Sequence, residues 1–230
     1  MNHFMLDLET LGSGPDGAIL TIGVVPFDPA QGRTAALLDV FYGRVTLGCT
    51  NFGEIDAGNV AWWMEQDIVA REEALGVLGV ERRNLWDTLW ALNQWLFSRG
   101  MRKAGEDGPW RLWAKPPEYD VRLLRAAYKR VGLAFPFHFR ATRDMRTLVD
   151  LAQSLGLKSA VEERSTLRHH ALEDAKHQAE VVCGIYQEMR RTRQAPGKTL
   201  EGIVEYMNDP GERRYHHIIA SILERGGYLK

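Results

Sequence analysis

Two acidic residues stand two positions apart in an otherwise apolar stretch near the N-terminus. Asp7 and Glu9 lie within FMLDLETLGS, residues 4–13, where most of the surrounding side chains are apolar. Side chains two positions apart in a β-strand point to the same face, so these carboxylates would lie a few ångströms apart. Like charges at that spacing repel, and burying either one is costly unless a cation neutralises it. The pattern therefore indicates a cation site, provided that the rest of the chain supplies further ligands.

Two more carboxylates and a histidine could complete such a site. Asp120 follows the apolar segment 110–115 and opens a predicted helix, where the helix dipole stabilises a negative charge. Asp174 lies close to the apolar face of a helix predicted over 169–191. His169 stands five positions before Asp174, about 140° away on a helix, so we expect it in the loop before that helix. Structural roles remain open as alternatives: a helix-start acid, a carboxylate paired with an arginine, and a structural histidine.

Composition predicts a globular protein with one large domain, or with a domain and an appendage. The chain has 230 residues, of which 45% are hydrophobic and 26% are charged. An 18-residue apolar run and a signal-peptide pattern are both missing from the sequence, which predicts no membrane contact and a cytoplasmic location. Its two cysteines, Cys49 and Cys183, lack metal-type spacing. The net charge of −1 does not indicate a polyanion-binding protein, and the clustered arginines fit either a solvated surface or a local basic groove.

The order of predicted elements begins β-β-β-α-α-β-α-α, which indicates an α/β protein with a mixed sheet. Apolar and β-branched runs predict strands over 3–10, 18–28, 41–46 and 110–115, and the first two form an antiparallel hairpin through a glycine-rich turn. Helical periodicity predicts helices over 59–75, 81–100, 118–131, 144–157 and 169–191. The last 32 residues resemble two short added helices.

The ordered motifs resemble those of the DEDD exonuclease superfamily in its His-containing (DEDDh) branch. The segments LDLET, EYDVRLLRAAY and HHALEDA are similar to its first, second and third motifs, over roughly residues 3–190. A narrower likeness, in VAWWMEQ and RDMRTL, is to phage and bacterial proteins of the exonuclease VIII-like and phage exonuclease A-like group. Polymerase-type members carry His-Asn shortly before the second motif's Asp, whereas this chain has AKPPEYD.

The resemblance implies a fold and a metal site. It implies a ribonuclease H-like mixed sheet flanked by helices in residues 1–193, with a helical C-terminal extension in 194–230. It also implies two divalent ions, Mg²⁺ or Mn²⁺, which carboxylate oxygens suit. Asp7 would bridge both ions, Glu9 and Asp174 would complete the inner site, and Asp120 would hold the second ion directly or through water. His169 would act as the general base.

Five further residues are candidate substrate contacts: Thr10, Leu11, Trp63, Asp144 and Arg146. The first two would offer main-chain amides and an apolar wedge to the 3′ end, as relatives do. Two adjacent tryptophans on one helix cannot both face the core, so we expect one to be partly exposed and available for base stacking, with packing as the alternative. A helix-cap role is the alternative for Asp144.

These features predict a metal-dependent 3′–5′ exonuclease that releases nucleoside monophosphates from single-stranded 3′ ends, with DNA slightly favoured. The alternatives are an exoribonuclease of the oligoribonuclease kind, and a non-catalytic nucleic-acid-binding module that kept the fold. Such a module would be expected to lose one or more of the acids, and all are present. A phosphatase of small substrates is a weaker alternative. The partners expected are single-stranded DNA or RNA 3′ ends, and a homodimer is left open.

Overall fold

A single mixed sheet forms the centre of the protein. The computed structural model describes residues 1–35, 39–76, 81–157 and 168–194, with side chains as far as residue 191. Within these ranges the strands are β1 His3–Thr10, β2 Ile19–Asp28, β3 Arg33–Thr34, β4 Phe41–Arg44, β5 Arg111–Ala114 and β6 Thr142–Asp144. The helices are α1 Ala57–Glu65, α2 Ile68–Leu75, α3 Leu85–Phe97, α4 Pro117–Arg130, α5 Met145–Ser154 and α6 Ala171–Gln194.

Strand β1 lies in the middle of the sheet, whose order is β3-β2-β1-β5-β6 with β4 also paired to β2. Strands β1 and β2 are antiparallel, and the turn between them is closed by the N–H of Leu11 donating to the carbonyl of Ala18 at 2.8 Å. Strand β5 is parallel to both β1 and β6. The predicted hairpin and the predicted mixed sheet are therefore confirmed.

The two faces of β1 meet different surroundings. One face belongs to the main hydrophobic core, and its side chains are Phe4, Leu6 and Leu8. Helices α3 and α4 contribute to this core, and the leucine stripe of α3 is buried within it: Leu85, Leu89, Leu92 and Leu96. The other face carries Met5 and both acids, and α6 contacts it through Gln178. The alternation in the sequence thus separates the packing face of β1 from its acidic face.

A glycine in β2 lets α6 lie directly on the acidic face. Gly23 pairs with Asp7 across the hairpin. A Cβ at Gly23 would lie 2.4 Å from the backbone carbonyl of Ala171, the first residue of α6. Any larger residue would therefore displace the start of α6 from the sheet. The close approach brings the first turn of α6 beside Asp7.

The structure differs from the sequence predictions in one helix and in three short elements. The helix predicted over 59–75 is two helices, because Gln66 leaves the helical conformation and Asp67 caps α2 by accepting from the N–H of Val69 at 2.8 Å. The short strand β3 and the 3₁₀ turn Phe139–Ala141 were not predicted. Strand β6 was not predicted as a strand either, and the other strands and helices agree with the predictions to within a few residues at each end.

Residues Met1–Glu188 form one compact unit, and Met189–Lys230 form a second. The predicted helical extension lies, beyond Gln194, outside the described residues. Among the described helices, none combines the length and the apolar character that crossing a membrane requires.

Candidate active site

Three of the predicted carboxylates converge. Asp7, Glu9 and Asp174 each offer a carboxylate oxygen, and these oxygens lie within 4.8 Å of one another. Strand β1 supplies the first two and the first turn of α6 supplies the third. Glu9 and Asp174 are buried and Asp7 is half-buried. Three negative charges this close together, two of them on buried side chains, repel strongly. The cluster therefore fits a divalent cation.

The fourth carboxylate lies beside this cluster. Asp120 is in the first turn of α4 and is 4% exposed. Burial raises the pKa of Asp120 to about 7, against the opposing effects of hydrogen bonds from backbone N–H groups, including that of Leu8, and of the positive charge of Arg146. Because Leu8 lies between Asp7 and Glu9 on β1, this contact places Asp120 at the margin of the cluster.

The local topology explains why Asp120 reaches β1. Strand β5 pairs with β1 only from His3 to Met5, so from Leu6 onward this edge of β1 is not paired with β5. Helix α4 begins at Pro117, three residues after β5 ends. Its first turn therefore meets the part of β1 that carries the acids.

His169 precedes α6 as predicted. Its backbone adopts a left-handed conformation with φ of +61°, which is uncommon for a residue other than glycine. Its N–H donates to Oδ2 of Asp174 at 3.1 Å, and its ring packs edge-on against Trp62 with 4.8 Å between the ring centroids. The histidine and the third carboxylate of the cluster are therefore linked directly.

Sequence reasoning missed Gln178. Its side chain is buried, and its Nε2 donates to Oδ1 of Asp7 at 2.7 Å. Gln178 lies four residues after Asp174, on the same face of α6. That spacing is the sequence pattern that could have identified it.

A cavity of about 340 Å³ opens beside the cluster. It is lined by Leu8, Glu9, Thr10, Asn59, Trp62 and Tyr119. The Thr10 and Tyr119 hydroxyls are hydrogen-bonded to each other at 2.7 Å, which joins β1 to α4 across the cavity. Of the predicted substrate contacts, Thr10 lines this cavity.

Two predicted substrate contacts are wrong. Trp63 is 0% exposed and donates from Nε1 to the carbonyl of Thr10 at 2.9 Å, whereas Trp62 is 41% exposed and lines the cavity. The exposed tryptophan is therefore Trp62. Leu11 is buried in the core and its N–H closes the hairpin turn, so neither its side chain nor its amide faces the cavity.

The last two predicted contacts lie at the start of α5. Asp144 caps that helix, accepting from the N–H of Arg146 at 2.9 Å and from the hydroxyl of Thr147 at 2.7 Å. The alternative given for Asp144, a helix cap, is therefore what its contacts show. Arg146 is exposed, and its charge acts on Asp120.

The sequence matches the model of the Rv2179c-like family, described as a 3′–5′ exoribonuclease Rv2179c-like domain, over residues 2–186. The chain belongs to this family. A search of curated proteins found no match.

Solved structures similar to this Rv2179c-like domain are also nucleases. Cell-death related nuclease 4 has a TM-score of 0.56 and 12% identity, with 84% of this chain and 64% of that chain covered. The nuclease domain of 3′hExo, a DEDDh family member bound to rAMP, has a TM-score of 0.50 and 12% identity over 81% of this chain and 92% of that one. E. coli exonuclease I in complex with a dT13 oligonucleotide has a TM-score of 0.51 and 13% identity, over 95% and 45%. The domain thus spans about two thirds of the length of cell-death related nuclease 4 and less than half of the length of exonuclease I.

Family and fold together establish what kind of protein this Rv2179c-like domain is. Its fold is the ribonuclease H-like mixed α/β fold of exonucleases, and its enzyme class is 3′–5′ exonuclease, a hydrolase. The predicted 3′–5′ exonuclease class is confirmed by the family, and the fold is similar to that of a DEDDh nuclease domain. The narrower likeness to phage exonucleases is not shown, and the preference for DNA is not supported, because the family is described by its action on RNA.

Proposed function

We propose that the protein is a metal-dependent 3′–5′ exoribonuclease that releases nucleoside monophosphates from single-stranded RNA. The observation that carries the proposal is the convergence of Asp7, Glu9 and Asp174 next to a cavity bordered by an exposed tryptophan. The family description supports RNA over DNA as the substrate.

The donor set suits Mg²⁺ or Mn²⁺. All its ligand atoms are carboxylate oxygens, which these hard cations prefer, and the burial of Glu9 and Asp174 makes a cation necessary to offset their charges. Asp7, Glu9 and Asp174 would hold one ion, and Asp120 would help to hold a second with Asp7. Bound divalent ions would neutralise charge at the phosphate and make water a better nucleophile at neutral pH.

The chain's own side chains supply the remaining functions. His169 takes the proton of the attacking water, since imidazole is the side chain that most often acts as a general base. Trp62 stacks on the terminal base, as aromatic side chains do in single-strand binding sites. Arg146, beside Asp120, attracts the phosphate backbone.

Matched RNA and DNA oligomers, each labelled at the 5′ or the 3′ end, would test the proposal. With Mn²⁺ we expect the 3′ label to appear first as a mononucleotide and the 5′-labelled RNA to shorten stepwise, and EDTA to stop both. Asp7→Asn should abolish cleavage. Asp150→Asn, an exposed acid on α5, serves as the matched control and should not change it.

Each other outcome identifies an alternative. Faster loss of DNA than of RNA would restore DNA as the substrate. Binding of RNA without cleavage at any metal concentration would indicate the non-catalytic module. Full activity in Asp7→Asn would overturn the site.

A further inference from the structure

Four side chains hold the segment that carries His169. Strand β4 supplies Tyr42 and Arg44, α2 supplies Glu73, and His170 directly follows His169 in the chain. Oε1 of Glu73 accepts from the Tyr42 hydroxyl at 2.8 Å and from Nε of Arg44 at 2.8 Å, and a second Arg44 nitrogen reaches the same oxygen. We call Tyr42, Arg44, Glu73 and His170 the His170 clamp.

The ring of His170 is fixed by three separate contacts. It stacks on Tyr42 with 4.8 Å between ring centroids and 23° between the planes. Its Nδ1 accepts from the N–H of Glu173 at 3.4 Å, and its Nε2 lies 3.6 Å from Oε1 of Glu73. Because Nδ1 accepts, the proton of the neutral ring is on Nε2 and faces the Glu73 carboxylate. The contacts therefore fix both the position and the tautomer of His170.

The backbone of His169 needs such support. Its left-handed conformation is unfavourable for a residue with a Cβ, and such conformations persist where the surrounding structure determines them. The N–H of His169 is bound to Asp174, and the carbonyl of His170 accepts from the N–H of Asp174 at 2.9 Å. The clamp fixes the residue that immediately follows this strained position.

We propose that His170, held by Tyr42 and Glu73, positions the imidazole of His169 for proton removal. The inference rests on the proposed function, in which His169 is the general base. His170 and Glu73 are positioning residues and do not touch the substrate. Loss of the clamp lets the imidazole of His169 leave its catalytic position, while the N–H of His169 stays bound to Asp174 and the carboxylate cluster stays in place.

Two substitutions separate the contacts of His170. His170→Asn keeps an acceptor for the N–H of Glu173 and removes the ring, whereas His170→Phe keeps the ring over Tyr42 and removes the acceptor. We expect both to lower kcat by about 10–100-fold, since small displacements of catalytic groups cost that much, with KM and Mn²⁺ affinity unchanged. His138→Asn is the matched control, because Nδ1 of His138 also accepts a backbone N–H, that of Arg140 at 3.3 Å, away from the site.

The decisive measurement combines His170→Asn with His169→Ala. If His170 acts through His169, adding His170→Asn to the His169→Ala variant lowers its residual rate by less than twofold. An equal fall in both backgrounds would show that His170 acts independently and would overturn the proposal. Tyr42→Leu removes the ring beneath His170 without replacing any residue near the start of α6, so it gives the same test if the His170 variants do not fold.

The outcomes distinguish this proposal from the proposed function. A wild-type protein without exonuclease activity, or a His169→Ala variant with full activity, would contradict the proposed mechanism itself. An impaired His169→Ala variant beside fully active His170 and Tyr42 variants would overturn the clamp alone.

Discussion

Gln178 donates a hydrogen bond to Asp7 across 171 residues of sequence, with 2.7 Å between Nε2 and Oδ1. Asp174, one turn earlier on the same helix, contributes a carboxylate to the cluster that contains Asp7. Helix α6 therefore supplies both a candidate ligand and the donor that orients another. Donors that orient ligands in this way fix the ligand geometry, and losing one typically costs about 10–100-fold in metal affinity or activity.

Replacing Gln178 by alanine should weaken the metal site. We expect a loss of about 10–100-fold in Mn²⁺ affinity or in exonuclease activity, because Asp7 loses the donor that fixes its orientation. Calorimetric titration with Mn²⁺, together with the metal dependence of the rate, measures both effects. Gln94→Ala, at an exposed position of α3, is the matched control. Unchanged Mn²⁺ affinity and rate in Gln178→Ala would show that Asp7 is oriented without it.

Gly23→Ala tests the close approach of α6 to the sheet. The added methyl group would lie 2.4 Å from the backbone of Ala171, so α6 must shift. We expect the free energy of unfolding to fall by about 1–3 kcal/mol, as overpacking does, and Mn²⁺ affinity to fall because Asp174 moves away from Asp7. Gly14→Ala is the control, since a Cβ there meets only the Glu54 side chain at 3.7 Å. Wild-type stability and metal affinity in Gly23→Ala would contradict this account.

The adjacent tryptophans should give opposite results. Trp62→Ala should leave the melting temperature nearly unchanged and raise KM for RNA, because a base stacked on an aromatic ring is worth about 1–3 kcal/mol. Trp63→Ala should lower the free energy of unfolding by about 3–5 kcal/mol, since it empties a fully buried site and leaves the Thr10 carbonyl without its donor. Thermal unfolding and steady-state kinetics on both variants measure the two effects. Equal KM values for wild type and Trp62→Ala would show that Trp62 does not contribute to substrate binding.

Local patterns were sufficient for much of the site. The alternation around Asp7 and Glu9 predicted both the strand and the shared face, and the spacing of His169 and Asp174 predicted that the histidine precedes the helix. The pattern predicted that one of two adjacent tryptophans is exposed, but it did not show which one, and Trp63 was wrongly predicted as the substrate contact.

Long-range packing determined what the local patterns could not. The contact of Asp120 with β1 depends on where β5 stops pairing with β1, and the bond from Gln178 to Asp7 depends on Gly23 admitting α6. Neither contact has a signature within a short window of sequence. The choice between RNA and DNA likewise has no residue pattern here, and the RNA preference rests on the family.

Acid stability provides a prediction away from the active site. His3, at the start of β1, accepts a hydrogen bond at Nδ1 from Nε1 of Trp113 at 2.9 Å. Burial, reinforced by the charge of Arg111, lowers the pKa of His3 from 6.5 to about 4. The unfolded chain therefore binds this proton more readily than the folded one between those values. The stability that this histidine contributes is complete above about pH 6.5 and is lost as the pH falls towards 4.

Urea unfolding of the wild type and of His3→Gln at several pH values between 7.5 and 4 checks this prediction. A glutamine can accept the bond from Trp113 without titrating, so the variant should lose less stability on acidification than the wild type. The carboxylates of the site titrate in both proteins, and the difference between the two curves isolates His3. Parallel curves would show that protonation of His3 does not oppose folding, and that the bond to Trp113 does not require the neutral ring.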